Sequence, residues 1–361
     1  MFGRKRLNSR LRSERKWTKN LECDLMSTMD MMVSGAMNVL RAVLSLREGD
    51  KVLIITDERK YRIGEAFMHG AINLGGEARL YMLPEDERPL RDVPSDLNFS
   101  GYNIILNIFE GIAEETPFRI KLAALEMRNG ARVGHAPGIT EDMMLHGPMN
   151  ADYESIARVA FSLMKKLEGA RYAYITAPGG TNIKINIEDR PFDTDVVIEK
   201  GKMGNLPAGE IWCAPVEDDA NGVVVADGSI GDLGPVPSPI TLVIENGVAV
   251  DVRGEDSEFV RRVEEVISVD DMARVIGEFG IGLNPNARIT GNLLEDEKAG
   301  GTAHIALGNN IDMPNGRNNS KTHRDFLFMK PTIIIEYKNG EKIKIIENGE
   351  ILVVKEGKQY L

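Results

Sequence analysis

Along the first half of this chain, apolar runs and helical stretches alternate, and the alternation stops near Gly169. Residues 51–57 read KVLIITD, 77–83 EARLYML and 103–109 NIILNIF. Near-continuous apolar runs of this length are the texture of strands buried on both faces of a parallel sheet. Helical patterning follows over 63–74, 115–128 and 154–167, and 132–135 adds a short fourth strand. Strands joined through helices predict an α/β layer with a mostly parallel sheet. After Tyr172 the β-rich runs are short: 173–176, 181–187, 223–226 and 240–252, separated by Gly, Pro and Asn. That is antiparallel texture. One helix over 257–269 interrupts it, and 332–355 supplies two or three hairpin strands. The expected class is α/β plus α+β, with an N-terminal α/β domain over 1–168 and a β-rich, metal-binding domain over 169–361.

The bulk numbers remove several function classes. A chain of 361 residues is long enough for two cores. No apolar run approaches the length of a bilayer span. A net charge of -11 argues against a nucleic-acid partner. The N-terminus lacks the apolar segment of a secretory signal. Cys23 and Cys213 lie far apart and read as two reduced thiols, so the expectation is a cytoplasmic protein. Arg4, Lys5, Arg6, Arg10, Arg12, Arg15 and Lys16 form a basic arm opposed by Glu14 alone, which reads as a solvated terminus. No Gly-x-Gly-x-x-Gly follows Asp57, so a nucleotide site has little support. The methionines between Met26 and Met37 recur at helical spacing and read as a packing face.

What remains is a concentration of metal-ligand chemistry late in the chain. Of five histidines, His69, His135 and His146 each stand alone. His304 lies in an apolar, strand-like stretch behind the acidic run Glu295, Asp296 and Glu297. His323 and Asp325 are two residues apart, so on a strand they share a face. Glu210 follows a turn and precedes Ile211-Trp212, and Glu278 sits between glycines and apolar neighbours. Taken singly, each acid reads as a surface, turn or helix-end residue. Together, they are acids in apolar, glycine-flanked settings beside two histidines, and a dication is what compensates such groups on burial.

At these residues the sequence resembles the aminopeptidase T family of thermophilic metalloproteases. The matching stretches are 204–210 (GNLPAGE), 276–279 (IGEF), 297–308 with its GTAHIALG core, and 319–326 (NSKTHRDF), with 181–187 (TNIKINI) as a preceding strand. The resemblance implies an α/β domain followed by a β-rich domain bearing two divalent ions, Zn, Co or Mn, in a homodimer with an enclosed cavity. Carried over by motif, the metal ligands are Glu210, Glu278, Glu297, His304, His323 and Asp325, with Glu278 and Asp325 as candidates for the bridge. Two features depart from the family. The spacing from Glu297 to His304 is longer than usual, which leaves Glu295 or Asp296 as alternatives to Glu297. The tyrosine that usually follows the histidine is replaced by a stretch reading GNNID over 308–312.

The resemblance implies metal-assisted removal of N-terminal residues from short peptides. In that chemistry two ions activate a shared water, and Glu278 or Glu297 acts as the catalytic proton shuttle. Two alternatives stay open. His304, His323 and Asp325 alone form a two-histidine, one-carboxylate triad that suits mononuclear Fe(II), as in the distantly similar ring-cleaving dihydroxypyridine dioxygenases. A metal-stabilised homologue without catalysis is the other.

Overall fold

The computed structural model describes residues 28–352. The basic arm at 4–16, Cys23 and Met26 lie outside the described residues. The three apolar runs of the first half form parallel strands in the order Glu77–Met82, Lys51–Thr56, Ile104–Ile108, and Arg132–His135 follows. The central strand Ile104–Ile108 is buried throughout, as its continuous apolar sequence requires. Helices Tyr61–Asn73, Thr116–Arg128 and Tyr153–Leu167 occupy the expected connections. The methionine-rich helix at 28–42 turns Met32 fully inward and packs Met29 and Met37 against the same core.

A fifth parallel strand, Met203–Asn205, joins this sheet beside Arg132–His135. Its three residues, Met-Gly-Asn, carry no strand signal of their own. The pairing with Val133, Gly134 and His135 makes it a strand, a case of tertiary context overriding local propensity.

The second half forms two antiparallel sheets, one of eight strands and one of seven. The run 240–252 is split into a hairpin, Ile240–Glu245 and Val248–Arg253. Asn246 and Gly247 take φ of 49° and 80° at the turn, the pair of left-handed residues that a two-residue hairpin needs. Among the described residues, no helix is long and apolar enough to cross a membrane.

The seven-stranded sheet carries the late acids and histidines. At its middle lie Glu210–Cys213, Ile276–Gly282, Thr302–Gly308 and His323–Met329, adjacent in that order. The surroundings of Glu278 correct one reading of the sequence. This residue, which alone would pass for a helix or loop end, lies inside a strand buried along all seven residues. Three glycines in IGEFGIG hid the strand, because glycine lowers strand propensity wherever another backbone or ring must come close. Gly277 is such a place: the register shifts there, and a Cβ would meet the Gly308 carbonyl oxygen at 2.5 Å.

Candidate metal centre

Strand register puts the candidate ligands on one face. Glu278 pairs with Ala306, and Ala306 pairs with Asp325 on the next strand. Gly280 pairs with His304, and Gly308 pairs with His323. Residues two apart point the same way, so Glu278, His304, His323 and Asp325 share that face. Glu210 reaches it from the neighbouring strand, opposite Gly282. Small residues clear the space between the ligands. Ala306 separates Glu278 from Asp325, and Gly280 lies directly under the His304 ring: a Cβ at 280 would stand 1.9 Å from Nε2.

Two trios of candidate ligand atoms result among the described residues, each gathered within 4.8 Å: Glu210, Glu278 and His304, and Glu278, His323 and Asp325. Glu278 belongs to both. Its Oε1 lies 3.2 Å from His304 Nε2 and its Oε2 lies 3.2 Å from His323 Nε2. Asp325 Oδ1 is 3.4 Å from His323 Nε2 and 3.9 Å from His304 Nε2, while Glu210 Oε2 is 3.6 Å from the latter. His323 Nδ1–H donates to the Asn309 carbonyl at 2.8 Å. A carbonyl can only accept, so this bond commits Nδ1 as the donor and turns Nε2 toward the cluster, the usual brace of a metal-bound histidine. Asn309 and Asn310 stand where the resemblance expects the region of a tyrosine. The Asn310 amide is committed to the Gly277 carbonyl and Glu217.

The electrostatics are those of a site built for cations. Burial alone would push the Glu278 carboxyl up, but hydrogen bonds from His304 and His323 outweigh it and hold the carboxyl below its ordinary range. Burial opposes the charging of His304, yet Glu278 and Glu210 push it up to about 9. His323 is likewise raised, against burial, by Asp325 and Glu278. In the metal-free chain protons on the histidines balance the carboxylates. The balance is incomplete: among the described residues, both Asp325 oxygens and Glu210 Oε2 are buried without a hydrogen-bond partner. Such orphaned carboxylate oxygens cost several kcal/mol unless a cation meets them. The residues therefore fit divalent ions, and the mixed imidazole and carboxylate set suits Zn²⁺, Co²⁺ or Mn²⁺.

The remaining acids divide. Glu295 accepts from the Arg288 backbone and guanidinium, and Asp296 accepts from Thr290 and Gly291. Both brace the loop before the short helix Leu293–Asp296 and turn away from the cluster. Cross-links from the first half hold this loop, through Asn284 to Pro148 and Asn292 to Gly138. Glu297 enters neither trio; Lys298 Nζ donates to its Oε1. The same ammonium, fully buried, donates to Glu210 Oε1 at 2.6 Å and lies 3.7 Å from Asp195 Oδ2. Burial would lower the lysine pKa, but Glu210, Glu297 and Asp195 together raise it well above its ordinary value. Burial in turn pushes the carboxyls of Glu297 and Glu210 up. Lys298 and Asp195 were not among the residues singled out from the sequence. A lysine inside an acidic run has the signature of a solvated face, and only the fold turns it inward.

The comparisons with known proteins point the same way. The profile described as thermophilic metalloprotease (M29) matches residues 145–351. The chain is 27% identical over 168 residues to aminopeptidase AmpS of Bacillus subtilis, covering 41% of this chain and 40% of that protein. It is 30% identical over 169 residues to aminopeptidase T of Thermus thermophilus, with 41% and 40% covered. The matched stretch thus spans about two fifths of each curated relative's length. Among solved structures, 2,5-dihydroxypyridine dioxygenase from Pseudomonas putida aligns with a TM-score of 0.70 at 18% identity, over 89% of this chain and 96% of that one. AmpT from Thermus thermophilus aligns with a TM-score of 0.65 at 16% identity, over 90% and 99%. At such identities the two structures share the fold with this chain and nothing narrower follows from them. The sequence profile is narrower: it runs through all four strands of the candidate centre, and by it the chain belongs to the thermophilic metalloprotease (M29) family.

Proposed function

We propose that this protein is a metal-dependent aminopeptidase that removes N-terminal residues from short peptides at a dinuclear divalent-metal centre. The supporting observation is the double use of Glu278, which turns one carboxylate oxygen toward each histidine. In this reading Glu278 would help to hold both ions. Glu210 and His304 complete one subsite, and His323 and Asp325 complete the other. Bound there, divalent ions lower the pKa of a water and polarise a carbonyl. The chain's own groups do the rest. Asp325 and Glu278 hold the cations, and the Asn309 carbonyl keeps the His323 ring oriented. Glu297, bonded through one oxygen to Lys298, is the group proposed to move a proton to the leaving amine. Its family-implied role as a ligand stands beside this one as a proposal: Glu297 enters neither trio, but it feels the charges of Asp325 and His304.

We further propose residues 169–361 as the unit bearing the centre and residues 1–168 as the α/β unit beside it. The cysteine usage supports a cytoplasmic setting, and the family resemblance supports a homodimer, which sedimentation of the purified protein tests. A second reading rests on Asp325 Oδ1 lying within 3.9 Å of both histidine Nε2 atoms. That triad by itself suits a single Fe(II).

The deciding experiment is elemental analysis of protein purified without chelator, paired with a leucine-anilide assay under added Co²⁺ or Zn²⁺. Two divalent ions per chain and chelator-sensitive anilide release, abolished in Glu278→Gln, are expected. One iron per chain without hydrolysis would replace the proposal with the oxygenase. Absence of bound metal would refute the ligand assignment.

A further inference from the structure

The two trios are alike in composition, yet they do not have the same neighbours. One ligand, Glu210, shares its carboxylate with the ammonium of Lys298, at 2.6 Å from Oε1. That ammonium is fully buried, so no water screens it, and its other partners are Glu297 and Asp195. Among the described residues the trio of Glu278, His323 and Asp325 has no such neighbour: the carboxylates that Lys298 meets are Glu210, Glu297 and Asp195, and of these only Glu210 belongs to a trio.

We infer that Lys298 makes the two metal subsites unequal, so that an ion on Glu278, His323 and Asp325 is held tightly and an ion on Glu210, Glu278 and His304 loosely. This rests on the two-ion reading above. Two effects act in the same direction. A fixed positive charge against the Glu210 carboxylate repels a dication approaching the opposite oxygen, in a setting where burial keeps the interaction strong. The hydrogen bond to Oε1 also draws electron density from the carboxylate, making it a poorer donor to a metal. Glu297, a carboxylate that would otherwise be free to ligate, is held by the same ammonium. Lys298 is thus a positioning residue that sets the occupancy of one subsite, and the protein would respond to the supply of free divalent ion through that subsite alone.

The test is a count of bound ions. Full-length protein loaded with Mn²⁺ is dialysed against graded chelator buffers, and ions per chain are measured at each free-metal level. Wild type should lose one ion at a free Mn²⁺ concentration about tenfold or more above that at which it loses the second, the separation expected from a like charge at this range. Lys298→Met keeps the length of the side chain and removes the charge. Its first loss should move to lower free Mn²⁺ by a similar factor, with the second loss unmoved. Two ions lost together from wild type would overturn the inference while leaving the two-ion centre standing, as would a variant in which both losses shift equally. A count that never exceeds one in either protein would overturn the two-ion centre and the inference with it. A single ion in wild type and two in Lys298→Met would be the limiting case in its favour. Should the variant fail to fold, the wild-type release curve decides by itself.

Discussion

Gly280→Ala isolates the steric condition on which the centre depends. The added methyl would stand 1.9 Å from His304 Nε2, 2.2 Å from Cε1 and 2.7 Å from Cδ2, all well inside van der Waals contact. Both strands are fully buried, so the backbone has no room to retreat. The ring must leave its place. Overpacking of this kind costs about 1–3 kcal/mol. Loss of the 3.2 Å contact between His304 and Glu278, a charge-assisted bond in the metal-free chain, adds about 1.5–3 kcal/mol. The expected destabilisation is therefore about 2.5–6 kcal/mol, a large part of the stability of an ordinary domain. It should come with loss of the ion that His304 holds. Denaturant unfolding gives the first quantity and metal counting the second. The double variant Gly280→Ala/His304→Ala supplies the control: with the ring gone, the methyl at 280 has space, so the two substitutions should couple strongly rather than add. A Gly280→Ala protein with wild-type stability and metal content, or purely additive energies in the cycle, would refute the placement of His304 over Gly280.

Three more outcomes follow from the same kind of reasoning. Asp325→Asn should remove the 3.4 Å charge contact with His323 and shrink the stability gained on adding Zn²⁺; a Zn²⁺-induced rise in melting temperature as large as that of wild type would contradict this. In the first half, burial pushes Glu126 up to about 7 against the hydrogen bond from Asn107. A raised acid favours the folded state while protonated, so its contribution is complete below about 4.5 and is lost as pH rises through about 7. Glu126→Gln should accordingly gain on the order of 3 kcal/mol over wild type at pH 8 and little near pH 4.5; parallel pH–stability curves would exclude the assignment. Arg88 is buried between Asp57 and Glu115, and Arg88→Met should cost about 3–5 kcal/mol in urea unfolding by leaving two buried carboxylates uncompensated. A loss below about 1 kcal/mol would mean that water reaches the pair.

How much of this was legible in the residues depends on where each signal lives. The parallel sheet of the first half was readable because its strands are continuous apolar runs, a local property. His323 and Asp325 were readable as a pair because a strand has a period of two, and His323–Met329 is a strand. Glu278 was harder: glycines on either side disguise a buried strand, and their reason for being there lies on another strand, in the Gly308 carbonyl and the His304 ring that need the room. Lys298 was beyond reach. Its neighbours in sequence, Glu297 and Ala299, describe an exposed acidic turn, while its partners Asp195 and Glu210 lie about a hundred residues earlier and meet it only once the chain has folded. Ligands that approach a metal must be bare of other partners, and that bareness has a sequence trace in the small residues that surround them. A charge that modulates those ligands needs no such clearance, since it is itself the partner. The residues that hold an ion can therefore be found from the chain, whereas the residue that sets how firmly one of two ions is held becomes visible only in the fold.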